Sequence, residues 1–167
     1  LHFPQPQHII YTDSSNLGFG AVLGDFHISG TWSAEEQRNH INWLEMVCVR
    51  EARFHWEDLL VNSSVLIASD NSTVICYINH CLGTHSRSLH LLTKEILLWA
   101  HSRGIFLRSR HIPGRLNVLA DGLSRSGHVL QTEWSLHPAI LQALTQVCFS
   151  PMIDLFATHR NRKCPIY

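Results

Sequence analysis

Four acidic residues stand where elements of secondary structure are predicted to begin or end. Asp13 follows a short β-rich run, and Asp70 follows an apolar run that is typical of a buried strand. Glu45 lies in the first two turns of a predicted helix, and Asp121 lies early in the last predicted helix. Because carboxylates that are brought together repel one another, such a cluster persists where cations neutralise it.

The chemistry that four such acids would suit is metal-assisted hydrolysis of a phosphodiester. Carboxylate oxygens with open water positions are the ligands that magnesium and manganese prefer. Two ions about 4 Å apart can flank a phosphate, so that one activates water while the other stabilises the leaving oxygen. Taken singly, each acid is equally well explained as a helix cap or a turn residue.

The elements that would position these acids follow the order β-β-β-α-β-α-α-β-α. The predicted strands span residues 8–12, 19–23, 26–33, 65–68 and 105–111, and the predicted helices span 42–60, 71–79, 88–102 and 117–124. The first three strands, joined by tight turns, form an antiparallel meander. We therefore predict an α/β fold: a mixed five-stranded sheet, with that meander plus two parallel strands, flanked by helices. Ligands usually bind at the carboxyl ends of strands in such sheets.

The composition is that of a folded domain with balanced charge. Hydrophobic residues make up 45% of the 167 residues, and 13 Lys and Arg balance 13 Asp and Glu. This balance counts mildly against a nucleic-acid binder, which is often basic. The five cysteines form no CxxC pair, so neither a disulfide framework nor a zinc site is indicated. Without a signal peptide or a long apolar run, we predict an intracellular protein (cytoplasm or nucleus) that does not enter a membrane.

A local motif surrounds each of the four acids. Residues 12–21 read TDSSNLGFGA, and residues 120–125 read ADGLSR after an HIPG turn at 111–114. Residues 40–45 read HINWLE, and residues 69–79 read SDNSTVICYIN. The first two motifs resemble the ribonuclease H domain of retroelements, the second of them in the form found in gypsy-like elements. The last two resemble DIRS-type retrotransposons, the class that carries a tyrosine recombinase.

The resemblance extends over residues 8–126 in colinear order and implies a ribonuclease H-like fold. It implies an endonuclease that cuts the RNA strand of RNA–DNA hybrids during reverse transcription. The implied catalytic and metal-binding residues, holding two Mg2+ or Mn2+ ions, are Asp13, Glu45, Asp70 and Asp121. The implied partners are the hybrid and an upstream reverse transcriptase polymerase domain of the same polyprotein.

Further polar residues near these motifs are implied to contact the hybrid: Ser14, Ser15, Asn71, Thr73, Asn79, Thr84 and Ser86. His111 stands ten residues before Asp121, where some ribonucleases H use a histidine to help product leave, although HIPG also suits a strand end and turn. The loop at 81–86 departs from the family, because Leu82 replaces a glycine and His85 replaces a basic residue.

The chain ends and the competing functions complete the interpretation. Residues 1–7 are predicted to be a linker from the polymerase region, and residues 127–167 to be the truncated start of a methyltransferase-like region. One alternative is a catalytically inactive hybrid-binding or spacer module of a decayed retroelement polyprotein, which the altered loop and neutral charge favour. An integrase-like nuclease is disfavoured, because such enzymes normally carry three acids of which the last is Glu.

Overall fold

The computed structural model describes residues 4–80, 86–126 and 142–143 of the chain. Within them a sheet is formed by β1 (His8–Ser14), β2 (Gly18–Leu23), β3 (Phe26–Thr31), β4 (Ser64–Ser69) and β5 (Phe106–His111). The strand order is β3-β2-β1-β4-β5. Strands β1 to β3 pair antiparallel, whereas β4 runs parallel to both β1 and β5. The predicted mixed five-stranded sheet, a three-stranded meander plus two parallel strands, is confirmed.

The helices are α1 (Ile41–His55), α2 (Glu57–Leu60), α3 (Ser72–Asn79), α4 (Arg87–Ser102) and α5 (Val118–Ser126), with 3-10 turns at Glu36–Arg38 and Gly114–Leu116. The single helix predicted over 42–60 is wrong, because the chain bends at Trp56, where φ is −111° and ψ is 21°. Trp56 is nevertheless buried and continues the apolar stripe of α1. The hydrophobic periodicity therefore runs through the bend and conceals it from sequence analysis.

The sheet is covered on both faces, and alternate residues of β1 show how. The Ser14 hydroxyl donates to the carbonyl oxygen of Leu44 in α1, so one face of β1 lies against that helix. The Asp13 carboxylate accepts a hydrogen bond from Ser124 of α5, so the opposite face lies against the last helix. The main core lies on the α1 side and includes Ile10, Ala21, Leu44, Val47, Ile67, Val74, Leu89 and Ile96.

Helix α5 lies very close to β2, which only glycine permits. A Cβ atom on Gly20 would lie 2.3 Å from the Cβ of Leu123 and 2.5 Å from the carbonyl oxygen of Ala120. Leu123 is buried, and Asn117 at the start of the helix donates a 2.9 Å hydrogen bond to the carbonyl oxygen of Thr12. These contacts place the first turn of α5 beside the carboxyl end of β1. No helix within the described ranges is long and apolar enough to cross a membrane.

Candidate metal centre

Three of the four predicted acids converge at one edge of the sheet. Asp13 lies near the end of β1, Asp70 directly follows β4, and Glu45 lies in the second turn of α1. Each offers a carboxylate oxygen, and these oxygens lie within 4.8 Å of one another. Asp13 and Glu45 are buried, and Asp70 is the most accessible of the three.

The register of the parallel strands explains why two of these acids meet. Tyr11 of β1 pairs with Ala68 of β4, and Asp13 and Asp70 each stand two residues further along. Parallel neighbours end at the same edge of a sheet, so both carboxylates arrive there together. The hydrogen bond from Ser14 to the Leu44 carbonyl, 3.2 Å long, ties the turn of α1 that carries Glu45 to the same edge.

Burial makes this cluster costly to ionise. Burial, with the charges of Asp13 and Asp70 adding to it, raises the pKa of Glu45 to about 9. Burial also raises the pKa of Asp13 to about 6; the charges of Asp70 and Asp121 act in the same direction, and the hydrogen bond from Ser124 and the charge of Arg125 oppose them. A nearby cation would reverse both effects, because it favours the charged carboxylates.

The three carboxylates fit a hard divalent cation. Glu45 Oε2 is buried and has no hydrogen-bond partner among the described residues, although a buried oxygen is normally satisfied. All three donors are carboxylate oxygens, as magnesium and manganese prefer. Asp13, Glu45 and Asp70 can therefore bind a divalent metal ion.

Asp121 lies beside this cluster but is not part of it. It stands in the first turn of α5, and its Oδ1 accepts a 2.7 Å hydrogen bond from Nε of Arg125, one turn later. Its side chain is 41% exposed, in contrast to the buried Glu45. Asp121 is nevertheless close enough for its charge to raise the pKa of Asp13. The predicted fourth acid is thus near the centre, with a partner of its own.

Ser124 is a site residue that sequence reasoning missed. Its hydroxyl donates a 2.6 Å hydrogen bond to Asp13 Oδ2 and lies 2.9 Å from the carbonyl oxygen of Asp121. Ser15 Oγ donates in turn to the Ser124 carbonyl oxygen at 2.6 Å. The signal was present in the ADGLSR motif, where Ser124 follows the acid by three residues, almost one helical turn.

A glycine turn lies against the third acid. A Cβ atom on Gly114 would lie 2.9 Å from Asp70 Oδ2. The 3-10 turn Gly114–Leu116 therefore leaves too little room beside the carboxylate for a Cβ atom at its first residue.

Several residues predicted to contact the hybrid make hydrogen bonds within the protein. The Ser14 and Ser15 hydroxyls bond the main chain of α1 and α5, as described above. The Asn71 side chain caps α3 by accepting from the backbone of Thr73, and it donates to Asn42 Oδ1 at 3.0 Å. Asn71 therefore joins the loop after Asp70 to the first turn of α1.

The remaining predicted contacts lie further along the same elements. Asn79 exchanges hydrogen bonds of 2.8 and 2.9 Å with the backbone of Ser109 in β5. Ser86 caps α4 by accepting from the backbone of Leu89. His111 is the last residue of β5 and is exposed. Thr84 lies outside the described residues. For all of these residues, contact with the hybrid or a role in product release stays a prediction.

Comparison with known proteins identifies solved structures that share this architecture. Neither a protein-family model nor a curated protein matches the sequence. Solved structures do, including LC11-RNase H1 in complex with an RNA/DNA hybrid, at a TM-score of 0.61 and 21% identity over 70% of this chain and 93% of that one. RNase H1 from Halobacterium salinarum NRC-1 matches at a TM-score of 0.59 and 17% identity, over 72% and 98% of the two chains.

The fold is that of ribonuclease H. The N-terminal RNase H domain of Rv2228c from Mycobacterium tuberculosis, solved as a fusion with maltose-binding protein, is also similar. It matches at a TM-score of 0.53 and 18% identity, over 70% of this chain and 94% of that one. The ribonuclease H-like fold predicted from the four motifs is confirmed.

Proposed function

We propose that this chain is a metal-dependent endonuclease that cuts the RNA strand of RNA–DNA hybrids. The observation that carries the proposal is the convergence of Asp13, Glu45 and Asp70 at the carboxyl edge of a ribonuclease H sheet. Asp121, on the neighbouring helix, would complete the quartet. One structurally similar protein, LC11-RNase H1, was solved with an RNA/DNA hybrid, which supports the same class of substrate here.

The residues that would hold divalent ions follow from their positions. Asp13, Glu45 and Asp70 would hold one magnesium or manganese ion, and Asp13 and Asp121 would hold a second. When bound, the two ions supply an activated water and stabilise the leaving oxygen at the scissile phosphate. Ser124 fixes the direction of the Asp13 carboxylate through its 2.6 Å hydrogen bond.

The surrounding residues keep the acids in place. Asn71, which bonds both α3 and Asn42, fixes the loop that carries Asp70 relative to the helix that carries Glu45. Recognition of the RNA strand would depend on polar groups around this edge, since 2′-hydroxyls distinguish RNA from DNA. We propose Thr73, at the start of α3, and Ser86, at the start of α4, for contact with these 2′-hydroxyls.

The biological setting that we propose is reverse transcription of a DIRS-type retrotransposon inside the cell. Its support is the set of motifs at residues 12–21, 40–45, 69–79 and 120–125. In this proposal residues 8–126 form the nuclease domain, an upstream polymerase domain is joined through residues 1–7, and residues 127–167 begin a methyltransferase-like region.

A second candidate is an inactive module that binds hybrid without cutting it. The observation that favours it is the ion pair between Asp121 and Arg125, which already gives the fourth acid a cationic partner from within the chain. The two candidates differ in whether hybrid is cleaved, and in whether the acids are needed.

The deciding experiment compares cleavage of an end-labelled RNA–DNA hybrid by the wild-type chain, Asp70→Asn and Asp25→Asn. Asp25 is an exposed turn residue, so its variant makes the same chemical change outside the cluster. We expect cleavage with magnesium or manganese by the wild type and Asp25→Asn, and none by Asp70→Asn or with chelator. Equal cleavage by Asp70→Asn would contradict the proposal, and binding of hybrid without cleavage would establish the inactive module.

A further inference from the structure

The four acids of the candidate centre do not share one environment. Three of them offer oxygens within 4.8 Å of one another, and the fourth, Asp121, is bonded to Arg125. The second metal ion would need Asp121 as a ligand. The guanidinium of Arg125 already neutralises the charge of that carboxylate. Both residues belong to α5 and are four apart, so a single helix carries the acid and its partner.

We propose that Arg125 is a positioning residue that pairs with the Asp121 carboxylate and so competes with the second divalent cation for this acid. This inference rests on the proposed metal centre and adds to it a residue that regulates how readily the centre is filled.

Contacts with β1 and β2 hold the backbone of α5 in place. Asp121 can therefore exchange Arg125 for the second cation only by a movement of its side chain. Ser124 lies between Asp121 and Arg125 in sequence and is bonded to Asp13 Oδ2 at 2.6 Å. Leu123 is buried against β2, where a Cβ atom on Gly20 would meet it at 2.3 Å. A shift of the whole helix would break these contacts. The Asp121 carboxylate can instead rotate about its own bonds, either toward Arg125 or toward Asp13.

The ion pair is open to solvent, which allows it to exchange. The side chains of Arg125 and Asp121 are 68% and 41% exposed. Opening the pair therefore buries no charge, and the released guanidinium returns to water. Exposed ion pairs are weak, so a divalent cation that gains Asp121 as a ligand can displace Arg125. The expected effect of removing Arg125 is correspondingly modest, about two- to five-fold in the affinity for the second cation.

Binding of Mn2+ to the full chain tests this without any substrate. Calorimetric titration of the wild type, Arg125→Gln and Arg115→Gln reports the number of sites and the dissociation constant of each. Arg115 is an exposed residue in the turn beside Asp70, so its variant removes the same charge near the centre without touching Asp121. We expect Arg125→Gln to strengthen the weaker site about two- to five-fold and Arg115→Gln to leave it unchanged.

A double variant separates the contact from a general effect of charge. In an Asp121→Asn background, Arg125→Gln should strengthen Mn2+ binding less than in the wild type, because the paired carboxylate is gone and only the longer-range charge of Arg125 at Asp13 remains. An unchanged or weaker second site in Arg125→Gln, or equal strengthening in both backgrounds, would overturn the inference. A wild-type chain that binds no Mn2+ at all would refute the proposed metal centre itself. If the first site binds Mn2+ normally and the affinity of the second site does not change in Arg125→Gln, only the role of Arg125 is refuted.

Discussion

Glu45 and Asp121 belong to the same candidate centre, yet their charges are balanced in different ways. Glu45 is 4% exposed, and its Oε2 has no hydrogen-bond partner among the described residues. Asp121 is half-exposed, lies in water and is paired with Arg125. The buried acid needs a cation from outside the chain in order to be ionised at neutral pH, whereas the exposed acid is already paired with one. The difference indicates that the two sides of the centre should respond differently to pH, to metal and to mutation.

The largest expected effect concerns the stability of the metal-free protein. Folding raises the pKa of Glu45 from 4.5 to about 9, so the folded state binds more protons than the unfolded state between these values. Stability is therefore full below the unfolded pKa and is lost as the pH rises toward the folded one. With chelator present, Glu45→Gln should therefore unfold at a higher urea concentration than the wild type near neutral pH. The free energy of unfolding should be larger in the variant by on the order of 2 kcal/mol.

Urea unfolding at about pH 5 and about pH 8 measures this difference. The gain from Glu45→Gln should grow with pH, and saturating magnesium should reduce it, because the ion binds the wild type more tightly than the variant and so stabilises it more. Asp121→Asn is the matched comparison and should stabilise the protein much less than Glu45→Gln at either pH, since the Asp121 side chain is 41% exposed and the amide relieves no buried charge. A gain of equal size at both pH values would show that the buried carboxylate is not the cause.

A smaller effect is expected where the two sides of the centre join. Ser124→Ala removes the hydrogen bond to Asp13 and frees the direction of its carboxylate, and we expect about ten-fold weaker binding of Mn2+. Ser102→Ala is the matched control, because that hydroxyl likewise bonds the carbonyl oxygen three residues earlier in a helix but lies on the exposed end of α4. Equal loss in both variants, or no loss in Ser124→Ala, would contradict a positioning role.

The smallest effect is expected at the turn beside Asp70. Gly114→Ala would place a Cβ atom 2.9 Å from Asp70 Oδ2, so the carboxylate or the turn must shift. An Asp70 side chain pushed off its rotamer would cost at most about 0.5–1.5 kcal/mol, and we expect Mn2+ to bind about three-fold more weakly. Leu116→Ala, at an exposed position of the same turn, should bind Mn2+ as the wild type does. Tighter or unchanged binding in Gly114→Ala would show that the turn does not constrain the acid.

Much of this architecture could be predicted from local sequence. The order of strands and helices follows from hydrophobic periodicity, and the positions of Asp13 and Asp70 follow from their strands ending together. The bend at Trp56 could not be predicted, because the buried stripe of α1 continues across it. Periodicity records which residues are buried and not whether the backbone between them remains straight.

The fine structure of the centre depends on tertiary contacts that no local pattern contains. Ser124 reaches Asp13 only because Gly20 lets α5 lie against β2. The burial of Glu45, which raises its pKa, depends in the same way on the packing of α1 against the sheet. The pair between Asp121 and Arg125 is different, since residues four apart in a helix are neighbours and could have been identified from spacing alone.

The hydrogen bond between Ser124 and Asp13 joins residues 111 positions apart. A ribosome synthesises the first acid early and the helix that orients it only after most of the domain has been made. A nascent chain that ends before α5 contains the residues of all five strands, but it lacks Asp121, Ser124 and Arg125 altogether. The complete centre is therefore a property of the finished domain, and a partly synthesised chain would lack part of the residue set on which the proposed cleavage depends.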